Sequence, residues 1–178
     1  YINNYKKATD QFTQALLLNS KDADTYYYLG KSYLMLQKKK QALESLIMSI
    51  QYDPYNGYAH FELGKIYESI FKINEALHEY SLAKKQLDYD ELNYNYGLLL
   101  YTVEEFSEAL NPLRSYIINN PFDYTILEIL GEIFVHETRH SEAIDTYTRL
   151  IDIEPNNRYY YSQIAESYLI LDNYEEAK

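Results

Sequence analysis

Residues 23–56 read ADTYYYLGKSYLMLQKKKQALESLIMSIQYDPYN, and residues 57–89 read GYAHFELGKIYESIFKINEALHEYSLAKKQLDY. Laid one above the other, they place Gly30 over Gly64, Ala42 over Ala76 and Leu46 over Tyr80. The register continues, with Gly97 and Gly131 following at intervals of 33 and 34 residues, and Ala109 and Ala143 trailing them by 12. Four of the five glycines therefore fall at one phase, inside segments that otherwise favour helix. Glycine weakens a helix, so its recurrence there marks a place where a side chain would not fit. A period near 34 residues builds a stacked array of supersecondary units rather than one globular core.

With glycine at slot eight, the units begin at Ala23, Gly57, Asp90, Tyr124 and Arg158. Slots four, seven and eleven hold Tyr26, Leu29 and Tyr33 in the first unit and Leu127, Leu130 and Phe134 in the fourth. Steps of three and four make one stripe of a helix, helix A of each unit. Slots twenty, twenty-four and twenty-seven make the corresponding stripe on helix B. Gly at slot eight and Ala at slot twenty are expected to bring the two helices together. Pro54, Pro121 and Pro155 at slot thirty-two end helix B, because proline cannot continue the ladder.

The domain organisation expected is a single array over 1–178: a lone helix B within 4–22, complete units at 23–56, 57–89, 90–123 and 124–157, and a partial unit at 158–178. Ala8, Phe12 and Ala15 carry slots twenty, twenty-four and twenty-seven of the first partial unit. Ala165 and Ala177 carry slots eight and twenty of the last, so residues 158–178 supply a helix A and the start of a helix B. Half a repeat at each end, and Tyr1 in place of an initiator Met, lead us to expect an excerpt of a longer chain. The unit at 57–89 is one residue short and has Asp88 where others have proline, so the loop from Lys84 to Asp90 is expected to alter the local twist. Pro112, at slot twenty-three, is expected to kink its helix or delay its start, or to lie near enough to the start to be tolerated.

Composition narrows the function classes. Net charge is −11, and residues 90–178 hold 17 acidic against 5 basic side chains. Such a chain is not expected to bind nucleic acid, which needs a basic surface. The Lys38-Lys39-Lys40 run falls at a turn and reads as solvated. Absence of cysteine excludes disulfides and Cys-ligated metal, and leaves the compartment open, with the cytoplasm as default. No apolar run approaches a membrane span. His136 and His140 are four apart, but His140 falls past the predicted inter-helix turn, so no metal site is expected, nor any cofactor. His60 sits in a packing slot. Ser141, His140 and Asp145 do not amount to a catalytic triad, and no glycine-rich phosphate loop exists.

The phased Gly, Ala and Pro slots resemble the tetratricopeptide repeat (TPR) along the whole chain. The resemblance implies an all-α fold, a right-handed α-α superhelix or solenoid of antiparallel helix pairs. It implies ligands held on a concave groove lined by slots two, five, six, nine, twelve and thirteen of helix A. These slots hold Tyr27, Tyr28, Lys31, Leu34 and Met35, then Tyr58, Phe61, Glu62, Lys65 and Glu68. They continue with Tyr94, Asn95, Leu98 and Tyr101, then Glu128, Ile129, Glu132 and His136, and last Tyr159, Gln163, Glu166 and Leu169. A groove of this make-up is aromatic and mildly basic at one end and acidic at the other. A TPR subclass that grips chaperone carboxylates needs a Lys/Asn/Arg cluster, which Tyr27, Glu62 and Glu91 replace here.

The function expected is a non-catalytic scaffold or adaptor that binds peptide or helical segments of protein partners and supports a multiprotein complex. The alternative is a recruitment or regulatory domain of an enzyme whose catalytic part lies elsewhere. A further reading is a homo-oligomer that buries Tyr26–Tyr28 and Tyr159–Tyr161.

Overall fold

The structure, a computed structural model, describes residues 2–176. Among them are ten helices and no strand: α1 (Ile2–Leu18), α2 (Ala23–Met35), α3 (Lys39–Tyr52), α4 (Gly57–Ser69), α5 (Ile73–Gln86), α6 (Asp90–Thr102), α7 (Phe106–Asn119), α8 (Tyr124–His136), α9 (His140–Ile153) and α10 (Arg158–Glu176). The A helices α2, α4, α6, α8 and α10 begin on slot one of their units.

By contacts the chain divides into two compact units, Tyr1–Asp88 and Tyr89–Lys178. In the first, α2 packs on α3 and α4 on α5, with α1 against α2 and α3 against α4. In the second, α6 packs on α7 and α8 on α9, with α7 against α8 and α10 against α9. The division falls where the short repeat ends. Asp22, Asn56 and Asp123 cap their A helices by accepting the backbone N–H of Thr25, Ala59 and Ile126. Tyr89 stands at that position before α6 and makes no side-chain cap hydrogen bond.

The slots explain the packing. Ala42, Ala76, Ala109 and Ala143 are fully buried. Glycine at slot eight makes room chiefly for the side chain at slot twenty-four, not for the alanine at slot twenty. A methyl added at Gly30 would lie 2.7 Å from Leu46, at Gly64 2.6 Å from Tyr80, at Gly97 2.6 Å from Leu113 and at Gly131 2.8 Å from Tyr147. Each of these four partners is fully buried.

Each A helix of a complete unit ends in the same turn. Slot fifteen takes a left-handed backbone at Gln37, Phe71, Glu104 and Thr138, with φ of 57°, 59°, 64° and 57°. The N–H groups of Lys38, Lys72, Glu105 and Arg139 donate to the carbonyls of Tyr33, Tyr67, Leu100 and Phe134, closing a Schellman turn with no glycine in it.

Two expectations need correcting. Pro112 does not delay its helix: α7 starts at Phe106, which places the buried proline in the second turn, beyond the tolerated start. And α10 runs unbroken through the place where the other A helices turn. Ala177 lies outside the described residues.

Candidate functional site

The A helices of the first unit carry a hollow of about 320 Å³ lined by Lys31, Leu34, Met35, Lys39, Glu62, Lys65, Ile66 and Ser69. Helical spacing places these side chains together: Lys31, Leu34 and Met35 share one face of α2, and Glu62, Lys65, Ile66 and Ser69 one face of α4. The floor is aliphatic and the rim polar. Glu62 lies between two ammonium groups, 3.9 Å from Lys31 Nζ and 3.7 Å from Lys65 Nζ. Lys39 Nζ donates to Ser69 Oγ at 3.2 Å. Three lysines and one glutamate leave the rim with an excess of positive charge. Lys39, Ile66 and Ser69 were not among the residues expected here, although Ser69 stands at slot thirteen, one of the expected slots. Lys39 belongs to the lysine run that sequence alone assigns to solvent, and Ile66 to a slot between the expected ones.

Beside the hollow, Tyr28 and Tyr58 are each 52% exposed. Tyr27 and Phe61 are not surface residues: they are 8% and 3% exposed. Lysine at slot nine covers the ring at slot five, with Lys31 Nζ 5.5 Å from the Tyr27 ring centre and Lys65 Nζ 5.0 Å from that of Phe61. The apolar lysine stem and the cation–ring attraction both favour this arrangement. Tyr27 also meets Tyr28 and Tyr58, at 5.0 and 6.0 Å between ring centres, and Phe12 of α1 stacks on Tyr28 at 6.0 Å.

In the second unit, Tyr94, Asn95, Tyr101 and Glu128 are half-buried on α6 and α8, while Glu132, His136 and Glu166 are exposed. Tyr94 packs on Tyr116 at 5.1 Å, and Tyr101 on Phe106 at 5.8 Å. Phe106 also meets the ring of His136 at 4.4 Å. Tyr101 Oη donates to Glu132 Oε2, a bond that, with burial and the same carboxylate's charge, pushes the phenol up to about 12. His136 ends α8 and His140 begins α9, so the two do not share a helix face. Among the described residues no group of three or more His, Asp or Glu side chains is placed to hold a metal ion. No described helix is long and apolar enough to cross a membrane.

His60 is buried in its packing slot. Its Nδ1 lies 2.6 Å from Glu79 Oε2 and its Nε2 3.0 Å from the carbonyl of Pro54, which can only accept. The ring therefore ties α4 to α5 and to the preceding loop.

The match to known proteins agrees with this architecture. Two family models, both described as tetratricopeptide repeat, match residues 24–54 and 94–158, together more than half of the chain. A BBSome complex member BBS4 homolog of Drosophila melanogaster is 25% identical over 176 residues, covering 97% of this chain but 36% of its own length. This chain thus spans about a third of that relative. YrrB, a TPR protein with an unusual peptide-binding site, superposes with a TM-score of 0.73 at 21% identity, over 93% of this chain and 86% of its own. MamA superposes with a TM-score of 0.66 at 19% identity, over 88% of this chain and 92% of its own. From repeat period, helix pairing and both family matches, the chain belongs to the tetratricopeptide repeat family, a fold of protein-interaction scaffolds.

Proposed function

We propose that this chain is a non-catalytic scaffold whose first unit seats a short segment of a partner protein in the hollow between α2 and α4. The observation that carries the reading is the hollow itself, with Leu34 and buried Ile66 inside it, exposed Met35 at its edge, and Lys31, Lys39 and Lys65 around it. Its volume is at the lower end of the usual range for ligand sites. One apolar side chain fills such a floor, and carboxylates on either side of it meet the lysines. Tyr28 and Tyr58 extend the surface with rigid, amphipathic rings of the kind enriched at interfaces. Kinship with a BBSome complex member, and likeness in fold to a TPR protein with a peptide-binding site, support a role inside a larger assembly.

Selection of ten-residue peptides from a displayed random library tests the reading. Enriched peptides are expected to carry Asp or Glu around a Leu, Met or Phe, and to lose binding to a Lys31→Glu/Lys65→Glu variant. Peptides of another pattern, or ones that bind this variant and Met35→Asp as well as the parent, would overturn it.

A further inference from the structure

The second unit presents the opposite chemistry. Residues 89–178 hold 17 acidic and 5 basic side chains, net −12, against 10 and 11, net +1, for residues 1–88. Within it, Glu128 and Glu132 stand one turn apart on α8, a like-charge spacing that works against the helix. Neither carboxylate has a Lys, Arg or His in ion-pair range among the described residues. A tyrosine from a neighbouring A helix holds each instead: Tyr160 Oη donates to Glu128 Oε1 at 2.5 Å, and Tyr101 Oη to Glu132 Oε2 at 2.5 Å. Fixed rotamers with uncompensated charge are what a preorganised cation receptor requires.

A second observation comes from α9. Tyr147 is fully buried, with its ring lying over Gly131 of α8, between Glu128 and Glu132 in the sequence. Its hydroxyl has no hydrogen-bond partner, a costly state for a buried polar atom. The Tyr147 ring meets those of Tyr159 and Tyr160 at 5.9 and 6.0 Å. Burial first, then the Tyr159 hydroxyl, which lies beyond hydrogen-bond length, and the charges of Glu132 and Glu128 hold the Tyr147 phenol above its ordinary range. Tyr159 itself is 44% exposed and offers a ring to the surface.

We propose that this face of α8 receives an arginine side chain of a partner protein, its guanidinium forked onto Glu128 and Glu132 and lying on the ring of Tyr159. Arginine fits better than lysine because a planar fork of N–H donors can serve two carboxylates at once and stack on an aromatic face. The acidic unit draws the cation in from a distance. This inference stands apart from the hollow of the first unit, and either can fail alone.

Titration of the full chain with N-acetyl-arginine amide, followed by backbone and side-chain NMR, tests it. Saturable shifts at Glu128, Glu132 and Tyr159 are expected, with none from the neutral isostere N-acetyl-citrulline amide. Glu128→Gln/Glu132→Gln is expected to weaken binding about tenfold, the loss of one charge-assisted contact. Asp145→Asn/Asp152→Asn, which removes the same charge from exposed positions of α9, is expected to leave it within about twofold. Equal response to citrulline, or equal loss in the two double variants, overturns the proposal. Tyr159→Leu, at a half-exposed position, is a second check: affinity unchanged in this variant would remove the stacking that favours arginine.

Discussion

A methyl group at Gly64 would meet the ring of Tyr80 at 2.6 Å, and that ring has nowhere to go because it is fully buried. Gly64→Ala should therefore destabilise the first unit although alanine is the better helix former. Overpacking costs about 1–3 kcal/mol and the gain in propensity returns about 1. The net loss of up to about 2 kcal/mol would show as a lower urea midpoint, and in a Tyr80→Ala background, which leaves no ring to meet, the same change should cost less. The opposite sign is expected at Thr138, where a β-branched residue holds a φ of 57°. Thr138→Gly removes left-handed strain of about 1–2 kcal/mol at an entropic cost of about 0.5–1. A rise in thermal midpoint of a degree or more, on the order of 0.5 kcal/mol, is the expected result. These two cases also mark how far single residues could be read. Slot-eight glycine was legible because its period is visible. Slot fifteen was not, because Gln37, Phe71, Glu104 and Thr138 share a conformation without sharing any chemistry. Burial of Tyr27 and Phe61 escaped for a related reason: it depends on lysine stems one turn away.

At the scale of elements, helix starts were legible and helix companions less so. The A helices begin where the period puts them, since Asp22, Asn56 and Asp123 supply caps at the unit ends. Asn56 does more than cap: its Nδ2 donates to Ser49 Oγ, which in turn donates to the carbonyl of Ala23, so one buried network joins α2, α3 and α4. Asn56→Ala should cost at least the ~1 kcal/mol of a lost cap, with more from the stranded Ser49, and hydrogen exchange in α4 should quicken first. His60 makes the same unit pH-sensitive. Burial pulls its pKa down, but hydrogen bonds to Glu79 and the Pro54 carbonyl, with the charges of Glu79 and Asp53, raise it on balance above 6.5. The folded state then holds a proton that the unfolded state releases, so stability is full below about pH 6.5 and falls as pH rises through the folded pKa. Urea midpoints at pH 6 and pH 8.5 should show that fall in the parent and not in His60→Gln.

On the scale of the whole molecule, the two compact units differ more in charge than in fold. Self-repulsion among the acidic side chains of residues 89–178 opposes their folding, whereas residues 1–88 are nearly balanced. Raising sodium chloride from about 20 mM to about 500 mM shortens the screening length several-fold. Peptide-resolved hydrogen exchange should then slow in α6 to α9 and change little in α2 to α5. Equal slowing in both would show that charge is not what distinguishes them. The division itself was not legible: a missing residue and Asp88 in the proline slot marked the loop only as a change of local twist within one array, and Tyr89 in the cap position adds to the physical account.

Gly64 with Tyr80, and Gly131 with Tyr147, can also be viewed as a constraint on the substitutions open to a lineage. Once a tyrosine occupies slot twenty-four, any side chain at slot eight collides with it, and reversal must begin by shrinking the tyrosine. The order of changes is therefore one-way at each unit: the large partner goes first, the glycine second. Diverging copies of this repeat should carry the scar of that order, with bulk at slot eight found only beside a small neighbour at slot twenty-four.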